Sequence, residues 1–206
     1  IRDRLSSMDN EEDDPGTTWN IDARTREPER MSPRMAWRAI QSALPQNAII
    51  SSDIGNNCAI GNAYPSFEEG RKYLAPGLFG PCGYGFPAII GAKIACPNVP
   101  VVGFAGDGAF GISMNEMTSC GRDDWPGITM VIFRNYQWGA EKRNTTLWYQ
   151  NNFVGTELNQ DFSYAKIAEG CGLKGVQVWS MEELTNELRL SCDCLLYTSD
   201  AADDAS

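Results

Sequence analysis

The sequence predicts an α/β fold: a mainly parallel sheet flanked by helices. Three observations predict it. Short apolar runs of strand length alternate with helix-period segments along the chain. Two of those runs, Val99 to Ala105 and Ile128 to Phe133, each end in polar residues. The carboxyl ends of strands are where open α/β sheets bind ligands. A glycine-rich segment, Gly77 to Gly85, sits before the first of them and allows backbone to approach a ligand closely.

Taken in order, residues 1–30 are polar, carry Pro15, Gly16 and Pro28, and read as a linker arriving from an upstream domain. One domain is expected over 31–191. A helix is predicted from Pro33 to Leu44, with Ser32 as its cap and Pro33 at its first position. Ala48 to Ser51 reads as a buried strand that runs into the polar loop Ser52-Asp53-Ile54-Gly55-Asn56-Asn57. After the glycines, Phe86 to Ala92 reads as a buried helix. The strand Val99 to Ala105 leads to Gly106-Asp107-Gly108 and a helix over about 109–121. The strand Ile128 to Phe133 leads to Asn135. Residues 136–160 read as a long polar and aromatic loop, a length uncommon unless functional. Ser163 to Gly170 reads as a helix and Val176 to Trp179 as a strand. Ser180 and Glu183 have the spacing of a capping box that opens a last helix. Residues 192–206, including Cys194-Leu195-Leu196-Tyr197-Thr198-Ser199-Asp200, resemble a translated adapter and are expected to be non-native and outside the fold.

Composition narrows the function classes. The chain has 206 residues, enough for one α/β domain with a sizeable core. Its net charge of −10 argues against a nucleic-acid surface. No apolar stretch reaches membrane length, so no membrane partner is expected. The chain holds seven cysteines in no disulfide or zinc pattern, as expected of reduced thiols in a cytoplasmic protein. It holds no histidine, which excludes Ser-His-Asp and Cys-His catalysis within this chain.

The motif that carries chemistry is Gly106-Asp107-Gly108 with Asn135. Two strands side by side deliver a carboxylate and an amide oxygen to one sheet edge. Such hard oxygen ligands suit Mg²⁺, which is often shared with phosphates. Gly106 and Gly108 let backbone approach an anion, and a helix starting near Ala109 points N–H groups at it. The pattern fits a metal-bound diphosphate.

These residues resemble the thiamine diphosphate (ThDP) signature. The likeness extends over about 31–190 through Ser52-Asp53-Ile54-Gly55, Leu78 to Ala88, Gly106-Asp107-Gly108 with Asn135, and Asp161 to Ala168. It resembles the C-terminal, diphosphate-binding domain of ThDP-dependent enzymes of the acetolactate synthase type. The resemblance implies ThDP and Mg²⁺ as cofactors. It implies that Asp107, Asn135 and the backbone carbonyl of Gln137 hold the metal. Gly106, Gly108, Ala109 and Gly139 would meet the diphosphate, with Asn56 and Asn57 beside it. Gly80 would offer its carbonyl to the 4′-amino group of the pyrimidine. Cys82 falls where acetolactate synthases carry a large apolar wedge under the cofactor, so either a neighbour such as Phe79 or Phe86 does part of that task or the wedge is looser.

Met31 to Ile40, Leu78 to Pro87 and above all Phe133 to Asn144 resemble the branch of that family that converts sulfoacetaldehyde and phosphate to acetyl phosphate and sulfite, a late step of taurine breakdown. Lys142 and Arg143 are the candidates for meeting sulfonate or phosphate. The family implies a homo-oligomer, a dimer or tetramer, because its cofactor lies between subunits. It also places the activating glutamate on an upstream domain, so no catalytic residue is assigned here and this chain alone is expected to be inactive. Two other readings stay open: an acetolactate synthase or other 2-keto acid enzyme, and a non-catalytic ThDP-binding module.

Overall fold

The computed structural model describes residues 31–65, 72–122, 125–193 and the backbone of 197–202. The expected linker, 1–30, lies outside the described residues.

Six parallel strands form one sheet in the order β2-β1-β3-β4-β6-β5. They are β1 (Ile49–Ser52), β2 (Lys72–Leu74), β3 (Val101–Gly106), β4 (Thr129–Arg134), β5 (Gly175–Val178) and β6 (Tyr197–Ala202). The helices are α1 (Pro33–Ala43), α2 (Asn56–Gly61), α3 (Gly85–Ala95), α4 (Asp107–Ser113), α5 (Met117–Cys120), α6 (Gly139–Trp148), α7 (Tyr164–Gly170) and α8 (Met181–Asp193).

The central strands β3 and β4 send alternate side chains to opposite faces, and both faces are buried there. Val102, Phe104, Val131 and Phe133 meet Trp37 and Ile40 of α1 and Leu184 and Leu188 of α8. Val101, Ala105, Met130 and Ile132 meet Phe86 and Ile89 of α3, Phe110 of α4 and Tyr164 of α7. The cores on the two sides therefore fix the sheet's register at the centre, where β3 and β4 run side by side.

The predicted caps form. The Ser32 hydroxyl accepts the Met35 N–H at 3.3 Å. Ser180 and Glu183 cap reciprocally, each side chain accepting the other's backbone N–H at 3.2 Å.

Three elements differ from expectation. The helix predicted over 109–121 is broken by a 3₁₀ turn at Met114–Glu116, between α4 and α5. The stretch 136–160 is not all loop, because it contains α6. None of the residues of α6 is buried, so no apolar stripe marks it. Finally, Tyr197–Ala202, expected outside the fold, runs as β6 between β4 and β5. Ladder pairing uses backbone groups, which every non-proline residue carries whatever its side chain.

Where α2 crosses α1 the packing leaves no room. A Cβ on Gly61 would lie 2.5 Å from the Trp37 ring. That ring is itself held between Phe104 and Phe133, at centroid distances of 4.8 and 5.4 Å. Gly61→Ala is expected to destabilise the chain by about 1–3 kcal/mol, as overpacking does, despite the better helix propensity of alanine. Urea unfolding followed by tryptophan fluorescence measures this; an unchanged midpoint would contradict the packing.

Candidate functional site

The register pairs Gly106 of β3 with Phe133 of β4. The chain leaves both strands at the same edge, and Asp107 and Asn135 emerge side by side. Asp107 is the first residue of α4 and is 3% exposed. Its carboxylate accepts the Gly108 N–H at 3.0 Å and the Tyr136 N–H at 2.7 Å. Tyr136 reaches that position in the left-handed region, at φ 60°. This conformation is uncommon for a residue with a side chain. Next to it, Asn135 Oδ1 accepts the Gln137 N–H at 3.2 Å, closing a side-chain turn.

Burial pushes the Asp107 carboxyl up to about 6, although the N–H groups of Tyr136 and Gly108 and the charge of Arg134 oppose the shift. Arg134 is buried against the rings of Tyr136, Phe162 and Tyr164, 4.6–5.6 Å from their centroids. Its guanidinium donates to the Phe162 carbonyl. Tyr164 donates its hydroxyl to the Asp107 carbonyl at 2.8 Å. One strap, 160–164, is thus tied to the chain at the ends of both strands.

A single cleft collects the predicted residues. Asn56, Asn57, Gly80, Cys82, Gly106, Asp107, Gly108, Ala109, Asn135, Gln137 and Gly139 all line it. They come from the loops after β1, β3 and β4 and from the glycine-rich segment. Gly108 is required by contact, since a Cβ there would lie 2.8 Å from the Trp138 ring. The Trp138 ring therefore packs directly on the backbone at this point of the cleft.

Lys142 and Arg143 are not among the residues lining the cleft. The Lys142 ammonium pairs with Glu157 at 3.0 Å and lies 5.3 Å from the centre of the Phe153 ring. Of the two aromatic residues expected to help Cys82, Phe86 is wholly buried in the core and Phe79 is exposed.

Glu141 lines the cleft without having been singled out in the sequence. The signal was its place in the first turn of α6, two residues after Gly139. Burial pushes the Cys82 thiol up, and the charges of Asp53 and Glu141 push it further.

No group of three or more His, Cys, Asp or Glu side chains suited to a metal occurs among the described residues. The oxygen donors at this edge are one carboxylate, one amide and backbone carbonyls, a set that suits a hard cation rather than zinc. The six described cysteines are free thiols. No described helix is long and apolar enough to cross a membrane.

This cleft at the carboxyl edge of a parallel sheet agrees with the comparisons. Residues 53–193 match the thiamine pyrophosphate enzyme C-terminal TPP binding domain, and the chain belongs to that family of ThDP-binding domains. It is 79% identical, over 90% of its length, to a Rhizobium meliloti (strain 1021) protein named "Probable sulfoacetaldehyde acetyltransferase". It is 76% identical, again over 90%, to the sulfoacetaldehyde acetyltransferase of Rhodobacter capsulatus. The chain spans about 31% of the length of each of these relatives. In fold it is similar to the thiamine diphosphate-dependent 4-hydroxybenzoylformate decarboxylase of Rhodococcus jostii RHA1. The TM-score is 0.76 at 19% identity, covering 86% of this chain and 33% of that one.

The electrostatic contact across the cleft has a direct test. Glu141→Gln removes one of the charges that hold the Cys82 thiol up. Its alkylation by iodoacetamide at pH 8 is then expected to become a few-fold faster, since the thiolate is the nucleophile. Peptide mapping of the modified cysteine measures this; an unchanged rate places Glu141 too far from Cys82.

Proposed function

We propose that this chain is the cofactor-binding part of a ThDP- and Mg²⁺-dependent enzyme that converts sulfoacetaldehyde and phosphate to acetyl phosphate and sulfite. The observation that carries the cofactor site is the emergence of Asp107 and Asn135 from adjacent strands into one glycine-lined cleft. The names of these two relatives carry the substrate.

The residues present fit the cofactor. The start of α4, Asp107 to Ala109, lines the cleft, and a helix start favours the negative charge of a diphosphate. Asp107, burdened by burial, gains from a cation that neutralises it. Asp107, the Asn135 side chain and the Gln137 carbonyl would hold Mg²⁺. Gly106, Gly108, Ala109 and Gly139 would receive the diphosphate, with Asn56 and Asn57 beside them. The Gly80 carbonyl would accept from the 4′-amino group of the pyrimidine, and Cys82 would pack against the thiazolium. Bound there, ThDP would supply the carbanion chemistry that transfer of a two-carbon unit from an aldehyde to phosphate needs. The chain's own residues bind and orient; the activating carboxylate belongs to the upstream domain that the family resemblance implies. Sulfoacetaldehyde and phosphate are the proposed small-molecule partners, in a homo-oligomer.

The assay that tests the reaction uses the full-length protein with ThDP, Mg²⁺ and sulfoacetaldehyde, with and without phosphate. Phosphate-dependent release of sulfite together with acetyl phosphate is expected. Release of carbon dioxide from pyruvate without sulfite would leave the cofactor site standing and replace the substrate.

Asp107→Ala is expected to weaken Mg²⁺-dependent ThDP binding by more than about 100-fold, because loss of even an outer-shell partner costs roughly 10–100-fold. Calorimetric titration measures it. Acid is expected to act in the same direction. With the carboxyl pushed up to about 6, protons compete with the metal, and Mg²⁺-dependent binding at pH 5 falls about tenfold below its value at pH 7.5. Without metal the sign reverses for stability. Between the ordinary value of 3.8 and about 6 the folded chain keeps a proton that the unfolded chain has lost. Metal-free stability is therefore expected to fall as pH rises through that window, and thermal unfolding with and without Mg²⁺ separates the two effects.

A further inference from the structure

Asp53, directly after β1, is wholly buried, yet it is not one of the residues that line the cleft. Its carboxylate ties two distant loops together. Oδ1 accepts the Ile54 N–H at 2.8 Å and the Gly83 N–H at 3.1 Å. Oδ2 accepts the Gly85 N–H at 2.7 Å. Gly85 is the first residue of α3, and Tyr84 before it gives that helix no side-chain cap. Asp53 supplies the cap from 32 residues away. A carboxylate there also lies at the positive end of the helix dipole.

Both glycines are needed for this contact. Gly83 lies at φ +85°, and a Cβ on Gly85 would stand 3.0 Å from the nitrogen and Cβ of Asp53. Burial pushes the Asp53 carboxyl up, and the backbone N–H groups pull it down, which is what holding a charge at this junction requires. Gly80 and Cys82 reach the cleft just ahead of the anchored turn. Gly80 itself adopts φ +58° and is tied on its other side by its N–H to the Pro76 carbonyl at 3.3 Å.

We propose that Asp53 is a positioning residue that caps α3 across the chain and so sets where the Gly80 carbonyl stands to receive the cofactor's aminopyrimidine. The inference rests on the reading of Gly80 given under the proposed function. Asp53 also carries the loop of Asn56 and Asn57, because the Asn57 amide donates to the Asp53 carbonyl at 3.3 Å. One buried side chain therefore fixes the spacing between the pyrimidine end and the diphosphate end of the cleft.

The test uses the full-length protein with Mg²⁺ and two probes, ThDP and oxythiamine diphosphate, whose 4′-oxo group replaces the 4′-amino group. Wild type is expected to prefer ThDP by at least about tenfold, the worth of one hydrogen bond in a buried site. Asp53→Asn keeps the shape of the side chain but turns an NH₂ group toward backbone donors. Its preference is expected to shrink to within about twofold as that hydrogen bond is lost. Gly85→Ala pushes on the same contact from the other side and is expected to do the same; it carries the test alone if Asp53→Asn does not fold. A merely structural role would lower the melting temperature and leave the ratio of the two affinities unchanged. Undiminished preference in the folded variants overturns the inference while the cofactor reading stands. Wild type that binds neither probe overturns the cofactor reading and this inference with it.

Discussion

Two carboxylates are buried where the central strands end, and the loops of the cleft are arranged to keep them charged. An isolated carboxylate taken out of water costs several kcal/mol even after the protein relaxes around it. Backbone N–H groups offset that cost at about 1.5–3 kcal/mol for each hydrogen bond to a charged group. Asp53 draws three such donors from two loops. Asp107 draws two, one of them from Tyr136 beyond the end of β4. Each carboxylate thus dictates the path of a loop that is distant in sequence. The cleft is the space left between loops held in this way.

The two sites are not equal. Asp53 is surrounded by donors and closed off, so its work is internal. Asp107 has fewer donors and stands at the cleft, where burial outweighs them and pushes it up to about 6. The difference separates a carboxylate enclosed by backbone donors from one that lines the cleft. Arg134 supplies part of the missing positive charge, but it is turned into an aromatic cage and holds the 160–164 strap as well.

Much of this was legible in the sequence, and the reason is locality. Strand ends are marked by where apolar runs stop, so Asp107 and Asn135 could be placed on one edge from their position alone. The caps at Ser32 and Ser180 were legible because cap and helix lie within four residues. What escaped was non-local or had no periodicity. The α3 cap joins residues 32 positions apart, and no spacing rule anticipates it. Helix α6 buries nothing and so has no stripe to read. Lys142 looked available for an anion. Its partner Glu157 reaches it because 156–158 runs back along 136–138, with the Trp138 N–H bonded to the Thr156 carbonyl at 2.7 Å.

The strand order bears on how such a chain is completed as it emerges from synthesis. Of the described strands, β6 comes latest in sequence and lies between two made earlier, β4 and β5. Until it arrives, β4 is an open edge and β5 has no sheet neighbour, being held off by a second strand spacing of about 4.8 Å. An open apolar edge is a template for another chain. Vectorial assembly therefore joins β2-β1-β3-β4 first. The pairing of β5 waits on the crossover into β6, and the interval before it is when the nascent chain is most exposed to misassociation.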